Sequence, residues 1–369
     1  YDLQAITIPS NVSSIGESAF DDCKSLINIT IPSKVTIISD SLFMGCIKLK
    51  SIEILGDVTK IGSHAFCDCS KLQIAIPFSV SSIGTAAFNG CTSLINITIP
   101  SKVTTISDFL FVRCRYLKSI EFLGDVTEIG LHVFWFDYDL QAITIPSNVS
   151  SIGEFAFSGC RSLINITIPS KVTIISDGLF YECINLKSIE ILGDVTIIKE
   201  CSFYGCSSLQ TIPIPSSVSL IDSVAFGSCS NLINITIPSK VTTISVNLFI
   251  RCTSLESIIF LGDVKKIESR AFYNCSSLQK ITIPSNVSSI EEYAFSYCKS
   301  LINITIPSKV TTISNRLFEE CSNLESIEIL GDVTEIVSYA FHDCSSLQKI
   351  TITPLPIPQT KEGRQSPAW

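Results

Sequence analysis

The chain has 369 residues, a formal net charge of −8 and 46% hydrophobic residues. Its isoelectric point lies near 5.0 and it carries no basic stripe, so we expect no nucleic-acid partner. Apolar residues recur periodically and never form a run of about 18, which predicts that this segment contains no membrane span.

Phenylalanine recurs every 23 residues along the chain. One step is 22 residues, because a residue is missing between Gln73 and Pro77. A fixed period of this length indicates a solenoid of stacked coils. The repeated residues are Phe20, Phe43, Phe66, Phe88, Phe111, Phe134, Phe157, Phe180, Phe203, Phe226, Phe249, Phe272, Phe295, Phe318 and Phe341.

Each coil begins with L-x-x-I-x-I-P, which predicts a short β-strand that ends at a proline. The residues before each phenylalanine are too few for a full helix and predict a short turn or a single helical turn. One coil cannot bury its apolar residues alone, so neighbouring coils supply the core and their strands form a parallel sheet on one face. We therefore predict one elongated solenoid domain of about fifteen coils over residues 1–352.

The two ends depart from the coil pattern in different ways. Residues 1–17 are identical to residues 138–154, so the chain opens inside the motif and is expected to be a piece of a longer array. Residues 353–369 lose the repeat and contain several prolines, which predicts a flexible tail or linker.

The unit L-x-x-I-x-I-P, followed by V-x-x-I-x-x-x-A-F-x-x-C, resembles the leucine-rich repeat of the BspA-like, treponemal type over residues 1 to about 352. The resemblance implies a curved, elongated leucine-rich-repeat solenoid. It also implies an extracellular or cell-surface binding protein, in several cases an adhesin for host matrix proteins or for other microbes.

Fourteen of the sixteen cysteines follow the repeated phenylalanine by three residues. A small polarizable side chain suits the interior of a tight coil, so we predict a buried thiol ladder. Parallel Cβ directions in stacked coils suit disulfides poorly. Cys67 and Cys69 form the one close pair, and no histidine lies at ligand spacing from it, so we expect no metal and no cofactor.

The coils are of three types that recur in order. The first type begins with LIN, the second begins with L-x-S and contains LGDV, and the third begins with LQ. The identity of the ninth residue depends on the type of coil. Lys and Asp therefore become neighbours in adjacent coils, as at Lys171 and Asp194. Such pairs are predicted either to hold coil register or to form a solvated rim without net effect.

The third and fifth residues of each coil are predicted to face solvent from the strand. This Thr-rich surface with regularly spaced carboxylates suits hydrogen bonding to a protein or glycan; alternatively, Thr is there for strand propensity alone. The candidate ligand-binding residues are Thr30, Glu53, Thr98, Glu121, Thr167, Glu190, Thr236, Thr305 and Glu328.

Nine N-x-S/T sequons are candidate N-glycosylation sites. Glycans on the NIT sites would lie on the strand face and block it, so full glycosylation and binding through that face exclude each other. The sequon residues are Asn11, Asn28, Asn96, Asn148, Asn165, Asn234, Asn274, Asn286 and Asn303.

Aromatic residues break the repeat in two places. Trp135, Phe136 and Tyr138 surround Asp137, which replaces the ladder cysteine, and exposed Trp and Tyr are common interface anchors. Alternatively, Trp135 or Phe136 fills the space left by the thiol while Asp137 turns outward. Phe78, near the deletion, is a further candidate partner-binding residue, or it marks a kink or bulge.

No enzyme is predicted, because the three histidines lie in different coils and no phosphate loop or catalytic motif occurs. We predict a cell-surface or secreted adhesion module that binds a protein or glycan, on host matrix or on another cell. The alternative is a cytoplasmic scaffold or a structural rod that self-associates end to end through open strand edges.

Overall fold

The computed structural model describes residues 5–353. They form a β-solenoid whose coils are about 23 residues long, and one hydrophobic core runs from Leu26 to Ala340. The predicted tail over residues 353–369 lies outside the described residues apart from Thr353.

Most coils open with a longer strand, whose alternating isoleucines point inward because successive side chains leave a strand on opposite sides. Numbered in chain order with the short strands below, the long strands are β1 (Ala5–Thr7), β2 (Asn28–Ile31), β4 (Ser51–Ile54), β7 (Asn96–Ile99), β9 (Ser119–Phe122), β12 (Asn165–Ile168), β14 (Ser188–Ile191), β17 (Asn234–Ile237), β19 (Ser257–Phe260), β22 (Asn303–Ile306), β24 (Ser326–Ile329) and β26 (Lys349–Ile352).

A second side of the coil carries two-residue strands that follow the buried valine. They are β3 (Ile37–Ile38), β5 (Lys60–Ile61), β6 (Ser82–Ile83), β8 (Thr105–Ile106), β10 (Glu128–Ile129), β11 (Ser151–Ile152), β13 (Ile174–Ile175), β15 (Ile197–Ile198), β16 (Leu220–Ile221), β18 (Thr243–Ile244), β20 (Lys266–Ile267), β21 (Ser289–Ile290), β23 (Thr312–Ile313) and β25 (Glu335–Ile336). All pairing between coils is parallel, with each residue opposite its equivalent in the next coil, as Asn28 lies opposite Ser51.

The long strands pair only in groups: β1–β2–β4, β7–β9, β12–β14, β17–β19 and β22–β24–β26. The predicted parallel pairing is observed, but the sheet is interrupted where the strand lapses in the LQ coils that lie between these groups. In the preceding LGDV coil the Leu55 N–H donates to the Ile31 carbonyl over 3.1 Å. The equivalent residue of the next coil is Pro77, which has no N–H to continue the ladder.

The third side of the coil is a turn around the repeated phenylalanine, and residues 5–353 contain no helix. Of the two predicted forms, the turn is therefore the one observed. Amides of alternate residues donate to the next coil, for example Ser41 to Ser63, Phe43 to Ala65 and Gly45 to Cys67 at 2.8–2.9 Å. The positions two residues before and after the phenylalanine have positive φ, which interrupts helical geometry.

The repeated phenylalanines form one continuous stack through the core. Consecutive ring centroids lie between 5.2 Å, as for Phe134 and Phe157, and 5.9 Å, as for Phe111 and Phe134. Beside this stack, the predicted thiol ladder is observed: Cys46 Sγ donates to the Phe20 carbonyl over 3.0 Å, and Cys229 Sγ to Phe203 over 3.1 Å. The cysteines are free thiols. Each of these thiols thus joins its coil to the preceding one.

The glycine of each LGDV turn lies directly against the preceding coil. A Cβ on Gly193 would collide with the Ser170 carbonyl oxygen, and the same holds for Gly56 against Ser33. This position requires glycine because the two backbones approach too closely for any side chain.

The ninth-position row pairs differently from the sequence prediction. Lys171 Nζ donates to Asn148 Oδ1 over 2.6 Å, and Asn148 Nδ2 donates to Asp125 Oδ1 over 2.8 Å. No ion pair joins Lys171 to Asp194 in the described chain. The predicted Lys–Asp pairing is therefore wrong; the lysine turns back to the asparagine of the preceding coil, which offers a neutral acceptor.

Candidate functional site

The exposed side chains of the long strands form a flat polar surface, which we call the strand face. Its threonines donate to the glutamates of the next coil: Thr30 to Glu53 over 3.0 Å, and Thr98 to Glu121 over 3.3 Å. The same bonds join Thr167 to Glu190 at 3.2 Å and Thr305 to Glu328 at 3.3 Å. Thr236 instead lies opposite Ile259, which is 55% exposed, so the pattern fails in one copy.

Five of the sequon asparagines also lie on this face and are exposed: Asn28, Asn96, Asn165, Asn234 and Asn303. Asn11, Asn148 and Asn286 belong to the ninth-position row, and Asn274 lies half-buried in a turn with φ of 59°. Ser119 Oγ donates to Asn96 Oδ1 over 2.7 Å. Glycans at the five strand-face positions would cover the Thr–Glu pairs. The geometry therefore leads to the same conclusion as the sequence: full glycosylation and binding through the strand face exclude each other.

The strand face is interrupted by a depression of about 540 Å³ that we call the Phe78 groove. It spans three coils and brings together residues that the sequence analysis treated as separate sets: Phe78, Thr98 and Glu121. Phe78 is 74% exposed and Leu123 is 43% exposed. The lining consists of Ile74, Ala75, Ile76, Pro77, Phe78, Asn96, Ile97, Thr98, Glu121 and Leu123.

Two substitutions in the LQ coil distinguish this groove from its copies. The residue equivalent to Phe78 is Ser147, Ser216 or Ser285 in the later LQ coils, and the residue equivalent to Ala75 is Thr144 or Thr282 in two of them. Leu123 and Ala75 were absent from the sequence-based candidates. An alignment of the coils would have pointed to the groove, because Phe78 is a bulky residue at a position where the other described coils have serine or glycine.

The aromatic residues around Asp137 lie on the turn side of the coil and are all half-buried. Their rings pack on one another: Trp135 stacks on Phe136 at 4.7 Å, and Arg161 lies over Tyr138 at 5.2 Å. His132 is stacked between Phe109 and Phe155 at 5.1 and 5.2 Å, an arrangement that sequence reasoning missed. Most ring faces are thus occupied within the chain, which leaves little free surface for an anchor.

Asp137 is fully buried at the ladder position, between the thiols of Cys114 and Cys160. The alternative in which it turns outward is wrong, because the fixed coil geometry directs this side chain inward whatever its chemistry. Neither carboxyl oxygen has a hydrogen-bond partner. Burial raises the pKa of Asp137 well above its ordinary value, while the backbone amide of Cys114 acts in the opposite direction.

Among residues 5–353, no group of three His, Cys, Asp or Glu side chains is placed to hold a metal ion. His64, His132 and His342 lie in different coils. Burial lowers the pKa of His132, the histidine stacked between two phenylalanines. The described part of the chain also contains no helix that could span a membrane.

A model of the BspA-type leucine-rich repeat region matches residues 1–75, 73–183, 127–256, 173–298 and 242–356. These matches cover nearly the entire chain. The chain belongs to the BspA-type leucine-rich repeat family. The sequence-based assignment of family and of a leucine-rich-repeat solenoid is thereby confirmed, and solenoids of this family are typically non-catalytic.

Solved structures of bacterial leucine-rich repeat proteins share the fold. One from Bacteroides ovatus is 30% identical, with a TM-score of 0.71, over 95% of this chain and 83% of that one. A leucine-rich cell-surface protein from Faecalibacterium prausnitzii is also 30% identical, with a TM-score of 0.50, over 95% and 87%. One from Eubacterium ventriosum, 24% identical with a TM-score of 0.58 over 99% and 95%, shows the fold alone. The comparison with curated proteins gave no match.

Proposed function

We propose that this BspA-type chain is a cell-surface or secreted binding module that recognises a protein or glycan through its strand face. The likeness to a cell-surface relative supports the location, since both chains are covered almost completely by the match. The chemistry of the strand face supports binding, because its polar groups are exposed and lie in a flat row. Repetition gives that row four Thr–Glu pairs, so weak contacts can add up along one ligand.

The Phe78 groove carries this proposal. Phe78 is 74% exposed and lines the same depression as the exposed Leu123, so the two side chains belong to one apolar patch rimmed by polar groups, which is the kind of surface that marks a binding site. The later LQ coils have serine at the same position and contribute to the same core. The groove volume of about 540 Å³ falls in the range typical of ligand sites, and its few polar groups are fixed by hydrogen bonds.

The test is binding of the full chain, produced without glycosylation, to an immobilised extracellular-matrix preparation and to an array of immobilised glycans. We expect binding to at least one surface, weakened about ten-fold by Phe78→Ser, because the substitution removes the largest and most exposed apolar side chain of the groove. Trp135→Ser, on the turn side, is the control and should leave binding unchanged. Absence of binding to both surfaces, or equal loss in the two variants, would contradict the proposal.

A further inference from the structure

The polar groups of the Phe78 groove have unequal hydrogen-bonding capacity left for a ligand. Thr98 Oγ1 donates its one hydrogen to Glu121 Oε2, and Asn96 Oδ1 accepts a hydrogen bond from Ser119 Oγ. Glu121 keeps most of its acceptor capacity, because a carboxylate accepts several hydrogen bonds and Glu121 receives only one from the described chain, while the Asn96 amide N–H groups are donors in the same lining. A ligand group that donates hydrogen bonds matches the Glu121 carboxylate.

The charge of the groove also favours a ligand group that donates hydrogen bonds, and specifically a cation. No lysine, arginine or histidine of residues 5–353 forms an ion pair with Glu121. The side chain is exposed, and the whole chain carries a net charge of −8. A cation that approaches the strand face is therefore attracted over a distance and meets an uncompensated carboxylate in the lining of the groove.

The walls of the groove are apolar. Phe78, Ile74, Ala75 and Pro77 line it from one coil and Leu123 lines it from the coil that carries Glu121, with the coil of Thr98 between them. A long side chain with an apolar stem and a charged end fits such a site, because the stem packs on the wall while the end reaches the carboxylate. A phenylalanine ring can in addition contact a cation through its face.

We propose that the Phe78 groove binds an exposed segment of a partner protein in which an arginine or lysine lies beside an apolar residue. The inference rests on the proposed function and assigns its partner class: a protein with a basic, partly apolar surface instead of a neutral glycan. The basic side chain pairs with Glu121, and the apolar neighbour packs between Phe78 and Leu123.

The experiment compares two fluorescein-labelled peptides by fluorescence polarisation with the full, unglycosylated chain. One is Ala-Leu-Arg-Leu-Ala with blocked ends, and the other has citrulline, the neutral isostere of arginine, in place of arginine. We expect the arginine peptide to bind about two- to five-fold more tightly at low salt, the range typical of an exposed ion pair. Raising the ionic strength to about 0.5 M should abolish that preference, because salt screens exposed charges.

Three variants separate the two parts of the contact. Glu121→Gln should abolish the preference for arginine while leaving citrulline binding unchanged. Phe78→Ser should weaken the binding of both peptides about equally, and it should fold normally because it introduces the serine that the later LQ coils carry at this position. Glu190→Gln changes the equivalent glutamate of a copy without the phenylalanine and should have no effect.

The outcomes distinguish the partner class from the proposed function. Equal affinity for the two peptides, or equal effects of Glu121→Gln and Glu190→Gln, overturns the basic partner. If neither peptide binds while an immobilised neutral glycan does, and Phe78→Ser abolishes that binding, the partner class is wrong and the proposed function stands. If neither peptides nor matrix nor glycans bind, both proposals are wrong.

Discussion

A single residue, Asp137, departs from the chemistry of the thiol ladder without leaving its geometry. Cys114 Sγ donates to the Phe88 carbonyl over 3.2 Å, and Cys160 Sγ donates to Phe134 over 3.3 Å. At the same sequence spacing, a protonated Asp137 would donate its hydrogen bond to the Phe111 carbonyl oxygen. An ionised carboxylate cannot donate, so this step of the ladder is completed only when Asp137 is protonated.

We predict that Asp137 makes the folded protein less stable as the pH rises. Burial raises the pKa of Asp137 in the folded state, so the folded state holds this proton more tightly than the unfolded state does. Its contribution to stability is greatest below the ordinary carboxyl pKa of about 4 and is lost as the pH rises through the raised value. Asp137→Cys should therefore increase the free energy of unfolding by about 1–3 kcal/mol at pH 7.

Urea unfolding followed by circular dichroism from pH 4 to pH 8 measures this effect. The advantage of Asp137→Cys should shrink toward pH 4, and Asp137→Asn, which is neutral throughout, should also remove this pH dependence. An advantage that is constant across the range would show that the carboxyl does not titrate in the predicted way.

Gly193 offers a second test at the scale of one residue. Gly193→Ala should lower the free energy of unfolding by about 1–3 kcal/mol, because the new Cβ collides with the Ser170 carbonyl oxygen and two coils must separate. Gly16→Ala is the matched control, since a Cβ there has no heavy atom within 4 Å. Thermal unfolding of both variants checks the prediction, and equal melting temperatures would contradict it.

At the scale of the element, the thiol ladder is a buried row of weak donors. Burial raises the pKa of Cys46 and of Cys229 to about 12, so almost no thiolate forms near neutral pH. Twelve of the sixteen cysteines are buried, and the four that are half-buried are Cys23, Cys67, Cys201 and Cys344.

We predict that iodoacetamide at about pH 8 modifies these four cysteines first in the folded protein. Access, rather than thiolate fraction alone, separates them from the ladder, since burial also raises the pKa of Cys67 to about 11. Peptide mapping by mass spectrometry measures the order, and the urea-denatured chain, in which all sixteen should react, is the control. Modification of Cys229 as fast as Cys201 would mean that the ladder opens readily.

The coil repeat predicted the elements well, because burial of isoleucine, phenylalanine and cysteine depends only on spacing within one coil. Contacts between coils were harder to predict. Lys171 has both Asp194 and Asn148 as neighbours in adjacent coils, and spacing alone does not say which one it bonds. The groove around Phe78 joins three coils, so it required the register of residues about 20 to 45 positions apart, which the repeat supplies but which no local motif reveals.

At the scale of the whole molecule, stability is a sum over neighbouring coils, as in other solenoids. The phenylalanine stack shows why: Phe180 contacts Phe157 at 5.8 Å on one side and Phe203 at 5.5 Å on the other. Each ring therefore belongs to two interfaces between coils. Loss of one ring in the middle weakens the connection between the two halves of the array.

We predict that Phe180→Ala lowers the free energy of unfolding by about 3–5 kcal/mol, because a fully buried ring leaves a cavity that rigid neighbours cannot fill. It should also broaden the urea transition or divide it in two, since the flanking coils then unfold more independently. Phe155→Ala is the matched control: the same change removes a half-buried ring on the turn side and should cost less than half as much. Equal losses in the two variants, with a single sharp transition in both, would show that the stack does not connect the coils energetically.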